Sequence, residues 1–275
     1  MYFADTYLPT TAADGLIAVL AWYTMIVAMF ALLASVVFSW LTRTHVAPEH
    51  NTSRVLTSAV CLVAALSYYA MQEYFRMYLG SVEGPVSYEA HKKAFLAIGQ
   101  LRYMDWAVTT PLLIIKMFMV VHAGPDKNAR LLITAVVADL FMIVAGYIGE
   151  QQLDADGNIL VTARLVWGAI STLGYLVVVY CLYRVYRDYY PAANRHEQRA
   201  FKWSALTVVT LWGVYPIGYI LIAVTTVDPN WLHIAYSAAD VVNKVGVGIL
   251  VYLAGSEILE QRIDIRSREH ALYVG

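Results

Sequence analysis

Two ionisable residues, Asp240 and Lys244, lie four positions apart in an apolar stretch near the C-terminus. Residues at this spacing share one face of a helix. A buried lysine is the amine with which proteins bind an aldehyde as a Schiff base, and a carboxylate one turn away would balance its positive charge. A buried ion pair without a cofactor would use the same two residues, so the pair by itself leaves both interpretations open.

A second group of polar residues lies on one face of an earlier apolar stretch, at offsets of 0, 3, 7 and 14 positions: Arg102, Asp105, Thr109 and Lys116. Ionisable groups inside a membrane span are costly and mark functional sites. Because the four residues share a helical face, they indicate a path for protons or ions. Asp139, in the next apolar stretch, is expected to be protonated and hydrogen-bonded to a neighbouring helix.

The elements that position these residues follow from composition and length. The 275 residues are 60% hydrophobic and 14% charged, which is too little charge for the surface of a soluble domain of this size. A helix needs about 20 apolar residues to cross a bilayer, and seven stretches meet that requirement. We therefore predict an all-α membrane protein with one domain over 1–275, a bundle of seven transmembrane helices at approximately 15–43, 54–80, 98–122, 128–149, 161–188, 200–226 and 231–256.

The distribution of basic residues predicts the orientation of this bundle. Arg184 and Arg195 flank the loop between the fifth and sixth helices, whereas 150–160 and 227–231 carry only acidic charge. Cytoplasmic loops are enriched in Lys and Arg, so we expect the N-terminus outside and the C-terminus in the cytoplasm. The tail after Glu257 is expected to be a solvated extension. The net charge of −1 argues against a nucleic-acid partner.

Motifs on five of the predicted helices resemble those of the microbial rhodopsins. The run from Arg102 to Leu113 (RYMDWAVTTPLL) is similar to their third helix, and the run from Asp240 to Gly246 (DVVNKVG) is similar to their retinal-attachment helix. Shorter motifs are similar to the fourth, fifth and sixth helices, namely ADLFM with Gly146, RLVWGAIST and WGVYP. The motifs occur in order and in register, and the resemblance extends over all seven helices.

The resemblance implies an all-trans retinal bound to Lys244 as a Schiff base. Asp105 and Asp240 would be its counter-ions, with Arg102 on their extracellular side. In xanthorhodopsin-like proteins a glycine at the position of Gly168 opens a window for a carotenoid antenna, so a carotenoid near Gly168 is a further expectation. The retinal pocket would consist of side chains from the third to the sixth helix: Trp106, Thr110, Leu113, Met142, Gly146, Trp167, Gly168, Ser171, Thr172, Trp212, Tyr215 and Pro216.

Within this family, the residues at the positions of Asp105, Thr109 and Lys116 distinguish functional classes. Chloride pumps lack the first carboxylate, and sodium pumps carry Asn, Asp and Gln at the three positions. Most outward proton pumps carry a carboxylic acid at the third position, but a group of bacterial pumps similar to this sequence carries Lys. We therefore predict a light-driven outward proton pump with Asp105 as acceptor and Lys116 as candidate cytoplasmic donor. A lysine that only anchors the helix end is the alternative for Lys116.

Two departures from those pumps keep a second function open, a photosensory rhodopsin with a slow photocycle. Ser67 stands where the Lys-bearing pumps have a histidine bonded to the acceptor. Arg54 lies 13 residues before Ser67, or about 20 Å toward the cytoplasm, close to the depth of Lys116. If Arg54 faces the channel rather than the headgroups, the two cations would delay Schiff-base reprotonation. In addition, Leu232 and His233 occupy the region where bacteriorhodopsin has a pair of proton-releasing glutamates.

Other classes of function have little support in the sequence. We find no nucleophile–base pair, phosphate loop or metal-ligand cluster, so we expect neither an enzyme nor a metal site. A seven-helix protein without a chromophore would leave Lys244 without a role. The resemblance further implies a multi-pass protein of the bacterial plasma membrane, embedded in the lipid bilayer as a homo-oligomer (trimer or pentamer). A sensor would also need a separate transducer.

Overall fold

The structure is a computed structural model that describes residues 15–80 and 86–274. The acidic N-terminal segment, expected on the outside, lies outside the described residues. Seven long helices follow one another along the described chain: α1 (Leu16–Leu41), α2 (Asn51–Gly80), α3 (Tyr88–Val120), α4 (Pro125–Glu150), α5 (Val161–Asp188), α6 (Arg195–Val224) and α7 (Pro229–Val241, continued by Val242–Gly246 and Val247–Val274). This is the predicted all-α bundle of seven helices.

Each of the seven helices is long and apolar enough to cross a membrane. Large apolar side chains cover the outside of the bundle, where a soluble protein would carry charge. Buried side chains face the interior and include most of the charged residues singled out in the sequence. The outward-facing apolar residues come from every part of the chain, for example Val27, Phe30, Leu66, Leu173 and Trp203.

The two ends of the bundle differ in charge. We call the end that holds the segments 42–47, 121–124 and 189–194 the basic end, because arginines lie in or beside them. We call the end that holds 151–160 and 225–228 the acidic end, because the charged residues of these two segments are aspartates. The helix α3 runs from the acidic end to the basic end, and α7 runs in the same direction.

The helix α3 begins earlier than the predicted 98–122. It begins at Tyr88, and the hydroxyl of Ser87 accepts a hydrogen bond from the backbone N–H of Ala90 as an N-cap. The segment predicted as a linker at 81–97 is therefore helical from Tyr88 onward. Hydropathy missed this part because its first three turns carry charged and polar residues that lie beyond the apolar span.

The helix α7 continues to Val274 instead of ending at 256. The tail is exposed from Glu260 onward, as expected of a solvated extension, but Ile258 is buried and the tail is helical. Arg262 on this extension pairs with Glu49, next to the start of α2. Apolar periodicity does not reveal this part of the helix, because its charges alternate in sign on all faces.

Two helices contain irregular turns at the level of the buried charges. In α6 the segment Leu211–Gly213 is a 3₁₀ turn, just before Pro216, whose ring removes a backbone N–H from the helix. In α7 the segment Val242–Gly246 is a π-helical turn that contains Lys244. A 3₁₀ turn has fewer residues per turn than an α-helix, and a π-helical turn has more. Both kinds of turn often occur at functional sites. They set the direction of Trp212 and Lys244 into the bundle.

Candidate functional site: a buried lysine beside an aromatic cavity

The ammonium of Lys244 lies between two carboxylates from different helices. Its Nζ donates a hydrogen bond to Asp105 Oδ2 of α3 at 2.5 Å and lies 3.4 Å from Asp240 Oδ1 of α7. All three residues are at most 2% exposed. Buried charges are tolerated only when they are paired and hydrogen-bonded. The structure therefore brings together the lysine and both of its predicted counter-ions.

The two carboxylates are held differently. Asp240 accepts a hydrogen bond from Tyr68 on Oδ2 at 2.8 Å and one from Tyr215 on Oδ1 at 2.6 Å. The guanidinium of Arg102 donates to the Tyr68 hydroxyl at 3.3 Å and completes a cluster of two cations and two carboxylates. Both oxygens of Asp240 therefore accept hydrogen bonds from tyrosine hydroxyls. Asp105, by contrast, accepts its hydrogen bond from Lys244 itself.

A cavity of about 340 Å³ opens beside Lys244. Trp106 of α3 and Trp212 of α6 both line it, and Tyr215 contacts Trp106 with ring centroids 4.8 Å apart. The wall includes eleven of the twelve predicted pocket residues: Trp106, Thr110, Leu113, Met142, Gly146, Gly168, Ser171, Thr172, Trp212, Tyr215 and Pro216. Arg102, Asp240 and Lys244 also line the cavity.

The twelfth predicted residue, Trp167, is not among the residues that line the cavity. Its Cβ lies against α4, 2.8 Å from where a Cβ on Gly149 would be. Successive residues on a helix point about 100° apart, and the next residue, Gly168, is the one whose side faces the cavity. The prediction placed both neighbours in one wall, whereas only Gly168 of the two lines it in the structure.

Lys116 lies on the same face of α3, toward the basic end. It is 0% exposed, and its Nζ donates to Thr57 Oγ1 of α2 at 3.3 Å. Thr109, between Asp105 and Lys116, is also fully buried and donates to the backbone carbonyl of Asp105 at 3.0 Å. This half of the bundle holds a large apolar cluster that includes Ile114, Met117, Phe118 and Phe201.

Arg54 is half-buried near the basic end. It donates to the backbone carbonyl of Ser39 at 2.5 Å and to the side chain of Asn51 at 2.8 and 2.9 Å. It also lines a small cavity of about 10 Å³ together with Thr57. Thr57, which lines this cavity with Arg54, is also the hydrogen-bond partner of Lys116.

Asp139 is buried on α4 at the level of the cavity. The hydroxyl of Thr110 on α3 donates to Asp139 Oδ2 at 2.7 Å. The same hydroxyl contacts the backbone carbonyl of Trp106 at 2.8 Å. The carboxyl group thus links α4 to the part of α3 that forms the cavity wall.

Residues 18–257 match the model of the family described as bacteriorhodopsin-like protein. The chain belongs to this family, the microbial rhodopsins. Members of the family are light-driven transporters or sensors rather than enzymes, and they are multi-pass membrane proteins. The chain is thus a light-driven rhodopsin that spans the membrane.

Three relatives illustrate the match. The rhodopsin is 31% identical over 212 residues to the bacteriorhodopsin of Haloterrigena sp. (strain arg-4), covering 75% of this chain and 76% of that one. It is 27% identical over 229 residues to the green-light absorbing proteorhodopsin of Gamma-proteobacterium EBAC31A08, covering 81% of each. The crystal structure of xanthorhodopsin, described as a light-driven ion pump with dual chromophore, has a TM-score of 0.76 at 25% identity, covering 91% of this chain and 98% of that one.

Membership of the family implies retinal bound through a Schiff base, and the cavity fits such a group. Its volume falls within the range of about 300–1,000 Å³ that is usual for small-molecule sites. Its wall is formed mainly by aromatic and small side chains, and the buried amine of Lys244 borders it. An elongated apolar aldehyde requires this combination of an apolar wall and one reachable amine.

The space in front of Gly168 is filled by an aromatic ring. A Cβ at Gly168 would lie 2.9 Å from Cε1 of Tyr219 on α6. The Tyr219 hydroxyl donates to the backbone carbonyl of Arg164 at 2.7 Å, and the Arg164 guanidinium lies 4.2 Å from the ring centroid. Thr172, one turn from Gly168, is exposed on the outer side of the same wall. The region expected to be a window is thus covered by Tyr219.

Sequence reasoning missed several residues of the site. On α2 it considered Ser67, but the side chain that reaches the counter-ions is the neighbouring Tyr68. Glu150 and Arg164 form a buried ion pair of 3.6 Å at the acidic end of the cavity. The predicted fourth helix ended at 149, which placed Glu150 in a loop. The available signal was the carboxylate of Glu150 at the end of an apolar segment, followed by Arg164 in the next span.

Proposed function

We propose that this rhodopsin is a light-driven outward proton pump in which Asp105 accepts a proton from the nitrogen of Lys244. The hydrogen bond of 2.5 Å between Lys244 Nζ and Asp105 Oδ2 carries this proposal. Retinal held by Lys244 would supply the light absorption and the photoisomerisation that drive this transfer. The side chains around it determine where the proton goes.

Asp105 is better suited than Asp240 to accept the proton. Tyr68 and Tyr215 both donate to Asp240, so protonation of Asp240 would disrupt two hydrogen bonds to a buried anion. Asp105 already accepts a hydrogen bond from Lys244 on Oδ2, along the line that a proton would follow. A proton acceptor must lie within hydrogen-bond reach of the proton it takes.

Lys116 is suited to return a proton from the other side. It lies 11 residues after Asp105, or about 16 Å along the helix axis. A buried ammonium is poorly solvated and can serve as a proton donor. Thr57 contacts its Nζ and also borders the small cavity at Arg54. This contact gives Lys116 a route for reprotonation from the basic end.

The direction of transport depends on the orientation of the bundle. Basic loops are retained in the cytoplasm, so we assign the basic end to the cytoplasm of a bacterial cell and the acidic end to the outside. Residues 1–275 would then form one retinal-binding unit with its C-terminal helix inside. Assembly into a trimer or pentamer is part of the same proposal.

Light-driven pH change in an unbuffered suspension of cells that express the full chain with retinal tests the pump. We expect acidification of the medium on illumination, which an uncoupler abolishes. The matched control is the Asp105→Asn variant, which should leave the pH of the medium unchanged. If wild-type cells show no acidification while the dark absorption recovers only over seconds, the pump proposal fails.

A slow photosensor is the second candidate, and the position of Arg54 favours it. A guanidinium that shares a small cavity with Thr57 adds positive charge near Lys116. This charge would hinder the arrival of protons, and a slow return suits signalling through a separate transducer. The Arg54→Ala variant should then recover its dark absorption several-fold faster, whereas Arg54→Lys should recover like wild type. Equal rates in all three proteins would remove this role of Arg54.

A carotenoid antenna beside Gly168 is a further proposal. The Tyr219 ring covers Gly168, so a carotenoid ring could reach this position only after Tyr219 turns away. Addition of a hydroxylated carotenoid should produce a new band in the action spectrum, and Tyr219→Ala should strengthen that band. The Tyr219→Phe variant keeps the ring and serves as the control. If neither wild type nor Tyr219→Ala gains a band, no antenna binds here.

A further inference from the structure

His233 is a fully buried imidazole on the acidic side of the counter-ion cluster. It lies in the first turns of α7 and is 0% exposed. The rings of Phe75 of α2 and Phe95 of α3 pack against it in edge contacts, with centroid distances of 5.5 and 5.0 Å. These contacts fix the plane of the imidazole. The ring therefore presents its two nitrogens in defined directions.

The two nitrogens of His233 have different surroundings. Nδ1 lies 3.3 Å from Nη2 of Arg102. A guanidinium can only donate, so Nδ1 accepts and the neutral ring carries its proton on Nε2. Among the described residues, Nε2 has no hydrogen-bond partner. A buried N–H without a protein partner is a donor available to water or to a transferred proton.

Another buried histidine lies farther toward the acidic end. His91 is 11 residues before Arg102 on α3, which is about three turns on the same face, or about 16 Å. It lies in the first turn of α3 and close enough to His233 to act on it electrostatically. Arg102 and His91 are the ionisable groups that act on His233 from α3. The order from the centre outward is thus Arg102, His233 and His91.

We propose that His233 relays the pumped proton from the counter-ion cluster to the acidic surface, with His91 as the next group on the path. This inference rests on the proposed pump function. The proton that leaves Asp105 reaches Nδ1 through water after Arg102 releases that atom. As the Nδ1–H bond forms, the Nε2–H bond breaks and its proton passes to water on the side of His91. The ring remains neutral afterwards and resets by exchange of the proton between its nitrogens.

An imidazole suits this task because it can accept a proton on one nitrogen and release one from the other. A purely structural role would need only an acceptor for Arg102 and a flat ring between Phe75 and Phe95. The two roles therefore predict different consequences when the ability to carry a proton is removed but the acceptor is kept. The competing exit runs past Glu150, which borders the large cavity beside Arg164.

The test measures when a proton appears in solution after a laser flash. The full chain with retinal is placed in lipid vesicles, and a soluble pH-indicator dye reports release. His233→Asn keeps an acceptor for Arg102 but carries no transferable proton. We expect it to retain its visible band and its first light-induced absorption change, with release delayed about tenfold or more. His233→Glu can carry a proton and should restore prompt release.

Controls separate this inference from the pump itself. His45→Asn removes an exposed imidazole and should release its proton like wild type. If His233→Asn does not bind retinal, His91→Asn provides the same test and should also delay release. Wild-type timing in His233→Asn overturns the relay, as does a delay in Glu150→Gln alone. If proton release is as slow in His233→Glu as in His233→Asn, the imidazole acts through its shape and not as a proton carrier, which also overturns the relay. A wild type that releases no proton refutes the pump rather than the relay.

Discussion

On the acidic side of Lys244, buried polar side chains form a connected chain of hydrogen bonds. On the basic side, the ammonium of Lys116 is buried beside a large apolar cluster. Toward the acidic end, hydrogen bonds link Asp240, Tyr68, Arg102 and His233 at distances of 2.8 to 3.3 Å. Toward the basic end, Lys116 contacts Thr57 at 3.3 Å and lies next to Met117 in sequence. The two halves therefore offer a proton very different environments.

This difference shows how a bundle can give direction to a proton. A chain of hydrogen-bonded groups allows transfer in short steps, and each intermediate position is solvated by a neighbour. An apolar region gives no such positions, so a proton crosses it only when a buried group such as Lys116 carries it. Departure and return then proceed by different routes, which is the requirement for net transport.

The largest effect is expected at the residue that joins the two halves. Lys244→Ala removes the amine that borders the cavity, so the visible absorption band should be lost completely after addition of retinal. Lys202→Ala, which removes an exposed lysine of α6, should keep the band. The absorption spectrum of the purified protein measures both. A visible band that persists in Lys244→Ala and resists hydroxylamine would show that another group holds the chromophore.

The next effect concerns the two carboxylates. Asp105→Asn should reduce the initial rate of light-driven acidification by at least about 100-fold, because it removes the general base. Asp240→Asn should reduce it less, by about tenfold, because it disturbs the charge balance but leaves the acceptor in place. The initial slope of the pH trace, normalised to bound retinal, gives the comparison. The reverse order would make Asp240 the acceptor.

A smaller effect is expected on the basic side. Lys116→Met removes the buried ammonium and should slow recovery of the dark absorption about 10- to 100-fold. Protons would then arrive from bulk solution, so the recovery rate should fall about tenfold for each unit of pH increase. Flash photolysis at several pH values measures both quantities. A variant that recovers at the wild-type rate at every pH would indicate that Lys116 only anchors the helix.

The smallest effect is expected at the hydroxyl that contacts Lys116. Thr57→Val removes a hydrogen bond worth about 1 kcal/mol, so recovery should slow by about fivefold. Thr57→Ser keeps the hydroxyl and should recover like wild type. The same flash experiment compares the two. If valine and serine behave alike, the hydroxyl takes no part in proton return and the difference between the halves lies in Lys116 alone.

The sequence predicted the residues whose spacing follows from a single helix. Asp240 and Lys244 share a face because they are about one turn apart, and Asp105 and Lys116 share another because they are 11 residues, or about three turns, apart. Contacts between helices depend on how each helix is rotated, and a shift of one residue changes the direction by about 100°. For this reason Ser67 was considered in place of Tyr68, and Trp167 was placed in the pocket beside Gly168.

Helix ends were predicted less well than helix positions. Hydropathy detects the part of a helix that crosses lipid, so it missed the polar first turns of α3 and the charged end of α7. The polar N-cap at Ser87 was a local signal for the earlier start of α3. The π-helical turn around Lys244 has no comparable signal in the sequence, because it depends on packing against the neighbouring helices.

The charged end of α7 carries the helix beyond the apolar span. From Glu260 to Val274 it extends over 14 residue steps, or about 21 Å. The part that contains Ala254 and Ile258 is still buried in the bundle. The ion pair of Arg262 with Glu49 ties this extension to the first loop. A displacement of α7 along its axis would therefore act on the start of α2 through this ion pair, at a distance from the cavity.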